Sequence, residues 1–236
     1  MVAAPAAADA VARARRLPDL QVGLHLVLVD GDSLLGHDRL PTITDADGRF
    51  STDQARLGVR YFVSPAARRQ LAAEIRAQFE AFRATGLALH HADAHKHMHL
   101  HPTVARLMIG IGREFGLSRI RIPAEPPAVL AACGTSPGFG ARALHAWTRG
   151  LRRRARRAGL DFDDHVFGIA WSGRMTAAVV PRLLRNLPPG RSEIYFHPAT
   201  RRDAALTRLM PAYEHVEEFK ILRTLTKSHT EHSGFG

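Results

Sequence analysis

The 236-residue chain contains one cysteine, Cys133. A single thiol can build neither an intrachain disulfide framework nor a Cys-based zinc site. Cys133 therefore reads as a small residue near a helix end, in keeping with a reducing compartment. Long apolar runs are also missing, and no stretch reaches the roughly 18 residues that a membrane-spanning helix requires. The opening MVAAPAAADAVARARRLPDL has no basic segment ahead of a leucine-rich one, so it does not read as a secretory signal. Phosphate-binding glycine loops, a Gly-x-Ser-x-Gly elbow and a cysteine nucleophile motif are absent, which removes three common routes to catalysis. Acidic residues are scarce: 22 Asp and Glu stand against 33 Lys and Arg, a formal net charge of +11.

That charge favours anionic partners but says nothing about fold. Much of it is arginine in Ala/Arg-rich segments, a bias that GC-rich coding DNA also produces. The run Arg152 to Arg157 has no interleaved aromatics and makes a poor platform for single-stranded nucleic acid. It reads as a solvated helix face, or as one resting on anionic lipid headgroups. No nucleic acid partner is expected. The expected location is the cytoplasm, with peripheral contact at the inner face of an anionic membrane left open by the basic surface.

Helical and extended patterns alternate along the chain. Asp9 to Leu17 is rich in helix formers, and Pro18 ends it. Gln21 to Gly31, QVGLHLVLVDG, reads as a buried strand. The following GDSLLGHDRLPTITDADGRF is full of turn formers and reads as a loop. Ser64-Pro65 caps a helix in which Leu71, Ile75, Phe79 and Phe82 recur at helical spacing, and Gly86 stops it. LALHHADAH is strand-like. Pro102 opens a helix carrying Val104, Leu107, Met108, Ile111 and Phe115. SRIRIP is a short strand followed by a proline-rich loop. Ala141 to Ala158 is helical, His165 to Ala170 a strand, Met175 to Leu187 a helix, Ser192 to Thr200 a strand, and Tyr213 to Leu225 a last helix. The pattern predicts an α/β fold with parallel strands and crossover helices, as one domain over 1–225 with a polar tail at 226–236. Chemistry in such folds gathers where strands end, which directs attention to His25, Asp93, His95 and His197.

HHADAHKHMHLHP, residues 90–102, holds six of the fourteen histidines. In extended backbone Asp93, His95, His97, His99 and His101 share a face. Several imidazoles around one point suit a borderline divalent ion, although the chain must turn before Pro102, so some rings would orient others or contact substrate. The plainer reading is a polar strand exit that caps the next helix. His25 interrupts an apolar run and needs a partner there, as a metal ligand or as a satisfied core histidine. His197 ends EIYFHP, where Pro198 turns the chain, and is placed for acid or base work or for simple exposure. Arg119 and Arg121 alternate along SRIRIP, where one of them can pair with a buried carboxylate or steady a developing oxyanion, and plain solvent exposure is the alternative. Glu125 lies in the rigid PAEPP loop. Asp93, His97, His99, Arg121 and Glu125 are candidates for contacting substrate or orienting ligands.

VGLHLVLVDG, HADAHKHMHLHPTV and EIYFHPAT, in this order and at these separations, resemble the YdjC-like (ChbG/HpnK) carbohydrate deacetylases. RIPAEPP and LMPAYEHVEEF resemble the hopanoid-biosynthesis branch of that family. The likeness runs from Met1 to about Leu225. It implies a distorted TIM-like (β/α) barrel related to the polysaccharide deacetylases, and a divalent metal, magnesium or zinc, held by an Asp and two histidines. The matching histidines are His25 and His95. The implied reaction is hydrolysis of the acetamide of an N-acetylated sugar, on the hopanoid branch a glycosylated hopanoid lipid. His197 matches the family's C-terminal His-Pro and is the implied general acid. The family's opening strand, which ends in Asp-Asp-Phe-Gly and supplies the ligating Asp and the base, has no counterpart here. The resemblance thus implies a barrel lacking its first strand and helix, on the order of 35 residues by ordinary element lengths. Such a form is expected to bind metal weakly and turn over little. The alternative is an impaired homologue that only binds metal or glycolipid. A basic nucleic-acid binder is a third reading, with net charge as its sole support.

Overall fold

The computed structural model describes residues 1–232 as a mixed α/β chain. It divides into two compact units, Met1–Ile122 with Thr148–Phe162, and Pro123–Trp147 with 163 onward. The helices of the first unit's leading segment are α1 (Ala7–Ala14), α2 (Gly36–Arg39), α3 (Gln54–Val63), α4 (Pro65–Ala84) and α5 (Pro102–Glu114). Its strands are β1 (Leu24–Leu26), β2 (Gly31–Asp32), β3 (Arg49–Phe50) and β4 (Ala92–Ala94). Later in the chain come α6 (Pro127–Ala132), α7 (Phe139–Arg157), β5 (His165–Phe167), α8 (Val180–Arg185), β6 (Ser192–Ile194), α9 (Ala204–Leu209) and α10 (His215–His232). Among the described residues no helix is long and apolar enough to cross a membrane.

In the first unit β1 pairs with β4 in parallel, with His25 opposite Asp93. The ladder continues through single bridges, Ala92 to Ile120 and Arg119 to Asp161, both parallel. SRIRIP thus contributes bridges where a strand was expected. β1 is also shorter than the Gln21–Gly31 strand expected from its apolar run, because helix side chains take over its backbone partners. The Gln78 amide accepts from the Val27 N–H at 2.9 Å and donates to the Val27 carbonyl at 2.8 Å. The Tyr61 hydroxyl donates to the Leu28 carbonyl at 2.8 Å. Glu74, fully buried, accepts from Leu34 and Leu35 N–H at 2.9 and 3.1 Å. These groups satisfy buried main chain that a neighbouring strand would otherwise serve.

α4 forms where its signals place it. Ser64 accepts from Ala67 N–H, Pro65 fills the first turn, and Leu71, Ile75, Phe79 and Phe82 are buried. Burial of each such side chain stabilises by roughly 1.5–3 kcal/mol. α5 buries Val104, Met108 and Ile111 in the same way. The segment expected as a loop contains α2 and the antiparallel pair β2–β3. α3, capped by Asp53 on Arg56 N–H, was not legible as a separate helix. In α7, Leu151 and Ala155 are buried while Arg149, Arg153 and Arg157 are exposed, so the arginine run is a solvated face. Arg152 and Arg156 lie over the Phe162 ring at 5.8 and 5.3 Å.

In the second unit β5 pairs with β6 in parallel. Leu130, Cys133, Phe167, Met175, Val180 and Leu183 form its core with Ile221. Cys133 closes α6, as its sequence position suggests. The helix expected over Met175–Leu187 is confined to α8, because residues 176–179 turn before Pro181 starts it. α10 runs to His232, so most of the expected tail is helical, and 233–236 lie outside the described residues.

Candidate functional site

The parallel register sets His25 directly across from Asp93, on one face. Asp93 is buried, and its Oδ1 lies 2.7 Å from His25 Nδ1. Its Oδ2 accepts from Arg121. Burial alone would raise the Asp93 pKa. The hydrogen bond from His25 and the positive charge of Arg121 outweigh it and hold the carboxyl well below its usual range. An ionised carboxylate only accepts, so His25 Nδ1 carries a proton, and in the neutral ring Nε2 is the nitrogen with the lone pair. A carboxylate behind an imidazole is the arrangement that fixes the tautomer of metal-binding histidines. The His95 ring stands edge-on to His25, with centroids 5.8 Å apart. Of the two arginines in SRIRIP, Arg121 meets the buried carboxylate, while Arg119 pairs with Asp161.

The expected extended row beyond Asp93 does not form. β4 ends at Ala94, and His95–Leu100 is a 3-10 turn in which Lys96 (φ 50°) and His97 (φ 55°) are left-handed. With Asp30 (φ 48°) these are the only non-glycine residues of positive φ among the described residues. The two places of strain are joined: Lys96 Nζ lies 2.5 Å from Asp30 Oδ2, and Gln54 Nε2 donates to the Lys96 carbonyl at 2.9 Å. Left-handed backbone of this kind costs on the order of 1 kcal/mol per residue and persists only where surroundings enforce it. The turn scatters the histidines. His101 packs against Tyr61 and Phe62, with centroids at 6.5 and 6.2 Å. His90 and His91 form their own pair, Nδ1 to Nδ1 at 3.0 Å. His97 and His99 face each other at 6.1 Å. His99 is fully buried, and its Nδ1 accepts from the Ala94 N–H at 3.1 Å.

Burial pushes His99 down to about 4, helped by the positive charge of Arg121 and opposed by Asp93. The imidazole thus stays neutral in the fold while the unfolded chain takes up a proton near pH 6.5. Stability from this group is complete above about pH 6.5 and falls as pH drops toward 4, by on the order of 3 kcal/mol in all. In the metal-free protein, His99→Asn keeps an acceptor for Ala94 and removes the titration. Its urea midpoint is expected to fall less between pH 7 and pH 4.5 than that of the unsubstituted protein. Parallel falls would contradict this assignment.

In the second unit, Glu125 is buried and both its oxygens are engaged. Oε1 accepts from Gly168, Ile169 and Ala170 N–H at 2.8, 2.8 and 3.2 Å, and Oε2 from Ala170 at 3.0 Å. The PAEPP loop therefore uses its acid to bind consecutive backbone donors. His197 follows β6, and its ring lies between Tyr195 and Tyr213, with centroids at 5.7 and 5.1 Å. Tyr213 OH is 2.9 Å from Ser172 Oγ.

Among the described residues no group of three or more His, Cys, Asp or Glu side chains is arranged to hold a metal ion. The donor chemistry at β1 and β4 is nonetheless of the right type for one. His25 offers Nε2 with its tautomer fixed from behind, and His95 is the neighbouring imidazole. Sequence reasoning found these residues and Arg121. It missed Asp30, Lys96 and Gln54, which shape the turn, and no local signal marks them.

The YdjC-like protein family model matches residues 1–226. A carbohydrate deacetylase of Brevibacillus brevis is 29% identical over 218 residues, which cover 90% of this chain and 73% of that protein. A carbohydrate deacetylase of Vibrio cholerae is 37% identical over 115 residues, 49% of this chain and 43% of that protein. The match thus spans less than half of the Vibrio protein's length. A crystal structure of an Enterococcus faecalis protein described as a cellobiose-phosphate cleavage protein superposes with a TM-score of 0.67 at 19% identity, covering 94% of this chain and 77% of that one. That likeness is one of fold. With the family match running through β1, β4 and β6, the chain belongs to the YdjC-like protein family.

Proposed function

We propose that the chain is a metal-dependent carbohydrate N-deacetylase. The observation that carries this reading is the His25–Asp93 pair beside His95, an imidazole donor with its tautomer set by a buried carboxylate. The names of the Brevibacillus and Vibrio relatives supply the substrate class, an acetylated carbohydrate, and the family resemblance supplies the N-acetyl linkage. The finer substrate, a sugar carried on a hopanoid lipid, rests on the likeness of RIPAEPP and LMPAYEHVEEF to that branch. A distorted (β/α) barrel is part of the proposal, supported by the parallel register within each unit.

His25 and His95 would hold the ion, zinc or magnesium. Bound there, a divalent metal supplies polarisation of the acetamide carbonyl and a lowered pKa for attacking water. Asp93 keeps the His25 proton on Nδ1, and the hydrogen bond from His25 with the charge of Arg121 keeps Asp93 ionised. His97 and His99 stay neutral near pH 7, held down to about 3 and about 4 by burial, and add no charge that would repel a cation. His197 is the candidate acid that protonates the leaving amine as the C–N bond breaks.

A second reading, binding without turnover, is favoured by the lack of a third metal-ligating side chain among the described residues. Cobalt(II) titration of the chelator-treated chain, with acetate release from N,N′-diacetylchitobiose, separates the two. The expected result is an imidazole-type cobalt spectrum lost in His25→Ala and His95→Ala, with slow, metal-stimulated acetate release. Cobalt binding without acetate supports the second reading. No binding through either histidine sinks the first reading and the metal-binding form of the second.

A further inference from the structure

The strand exit at His197 is held by a helix that the proposed reaction does not yet use. Both backbone groups of His197 are engaged by side chains from the first turn of α10. Its N–H donates to Glu218 Oε2. Its carbonyl accepts from His215 Nδ1 at 2.7 Å. Neither partner is a surface group, since Glu218 is 0% and His215 2% exposed. The other Glu218 oxygen accepts from the Met175 N–H at 3.0 Å, so the carboxylate also fixes the segment ahead of α8. The His215 carbonyl accepts from the Ala199 N–H at 3.1 Å, on the far side of Pro198. Tyr213, two residues before His215, packs on the His197 ring. Gly173 makes room for it: a Cβ there would lie 2.2 Å from the Tyr213 ring.

Two features argue for more than ordinary packing. A buried carboxylate and a buried imidazole are costly placements, and an apolar helix face would fill the same space. Here they converge on one residue, whose following proline has no N–H and offers no ladder of its own. Hydrogen bonds to both peptide groups fix the backbone torsions of His197 and hence where its Cβ points. A group that must meet a substrate atom within a few tenths of an ångström needs that kind of support.

We propose that Glu218 and His215 are positioning residues for His197, setting the direction of its imidazole for proton transfer. This rests on the reading of His197 as the general acid. The test compares His197→Ala, Glu218→Gln, His215→Ala and His215→Asn in acetate release from N,N′-diacetylchitobiose, with kcat and KM determined per folded molecule. Glutamine keeps the shape of Glu218 but presents its NH2 to one of the two donors. Asparagine keeps a donor where His215 Nδ1 stands. The expected result is a loss in kcat of about 10–100-fold for Glu218→Gln and for His215→Ala, with KM within about 2-fold and kcat largely restored in His215→Asn. A merely structural role would lower the melting temperature without that split and without rescue by asparagine. If Glu218→Gln fails to fold, the His215 pair of variants decides alone. Wild-type kcat in folded Glu218→Gln and His215→Ala, with His197→Ala inactive, overturns the inference and leaves the acid assignment standing. Wild-type kcat in His197→Ala overturns that assignment and the inference with it, as does an unsubstituted chain that releases no acetate.

Discussion

Replacing Asp93 by alanine is expected to destabilise the first unit by about 3 kcal/mol and to weaken metal binding by about 10–100-fold. The two effects have separate causes. Stability falls because the side chain of Arg121, only 19% exposed, loses the carboxylate that neutralises it. A buried ion left without its partner is more costly than the pair was favourable. Metal binding falls because His25 loses the acceptor that holds its proton on Nδ1. Asp93→Asn divides the two. An asparagine that turns its oxygen to the Arg121 guanidinium must turn its NH2 to His25. That amide needs an acceptor, so the imidazole proton moves to Nε2, where the lone pair for a metal had been. Asp93→Asn is therefore expected to recover part of the stability and none of the metal affinity. Urea melts with cobalt titrations give both numbers, and full affinity in the asparagine variant would refute the tautomer account.

Loss of Glu125 is expected to be as damaging to the second unit. Its carboxylate receives three successive N–H groups, those of Gly168, Ile169 and Ala170. Burial pushes its pKa up, while these donors pull it down. Glu125→Ala leaves the donors without an acceptor in the protein, at a cost of about 3–5 kcal/mol for the group. Amide exchange reads this locally. Gly168 to Ala170 are expected to exchange at least about 100-fold faster in the variant, each tenfold corresponding to about 1.4 kcal/mol. Glu125→Gln offers one good acceptor where two stood and is expected to fall between. Unchanged exchange at these amides would show that they are protected by something other than the carboxylate.

The parts of this fold that could be read from sequence are those whose signals are local. Ser64, Pro65 and the apolar stripe of α4 are neighbours in the chain, and they specify the helix without help. The presence of β1, β4 and β6 was legible from apolar runs, but their ends were not, since β1 stops at Leu26 and β6 at Ile194, inside those runs. The histidine row was misread for a physical reason. Alternation at Asp93, His95, His97 and His99 is compatible with extended backbone, and residues other than glycine seldom take positive φ. What turns the chain at Lys96 is Asp30, far back in sequence, with Gln54 on α3. No window of residues contains that information. Glu218 did leave a trace. His215, Glu218 and Ile221 form the buried stripe of α10, so an acid falls on an apolar face. Glu74 and Gln78 do the same on the buried face of α4. A polar residue on such a stripe is worth treating as a hydrogen-bonding anchor before it is treated as noise.

The distance along the chain between His25 and Asp93 has a consequence for synthesis. They are 68 positions apart, and the parallel pairing that joins them encloses α3 and α4. A growing polypeptide that has emerged only as far as α4 owns His25 and nothing to set its tautomer. Closing a loop of this size costs entropy before any contact offsets it. The imidazole therefore acquires its fixed proton only once the segment carrying Asp93 has left the ribosome and settled beside β1. Until then nothing distinguishes the two ring nitrogens of His25, and either can carry the hydrogen.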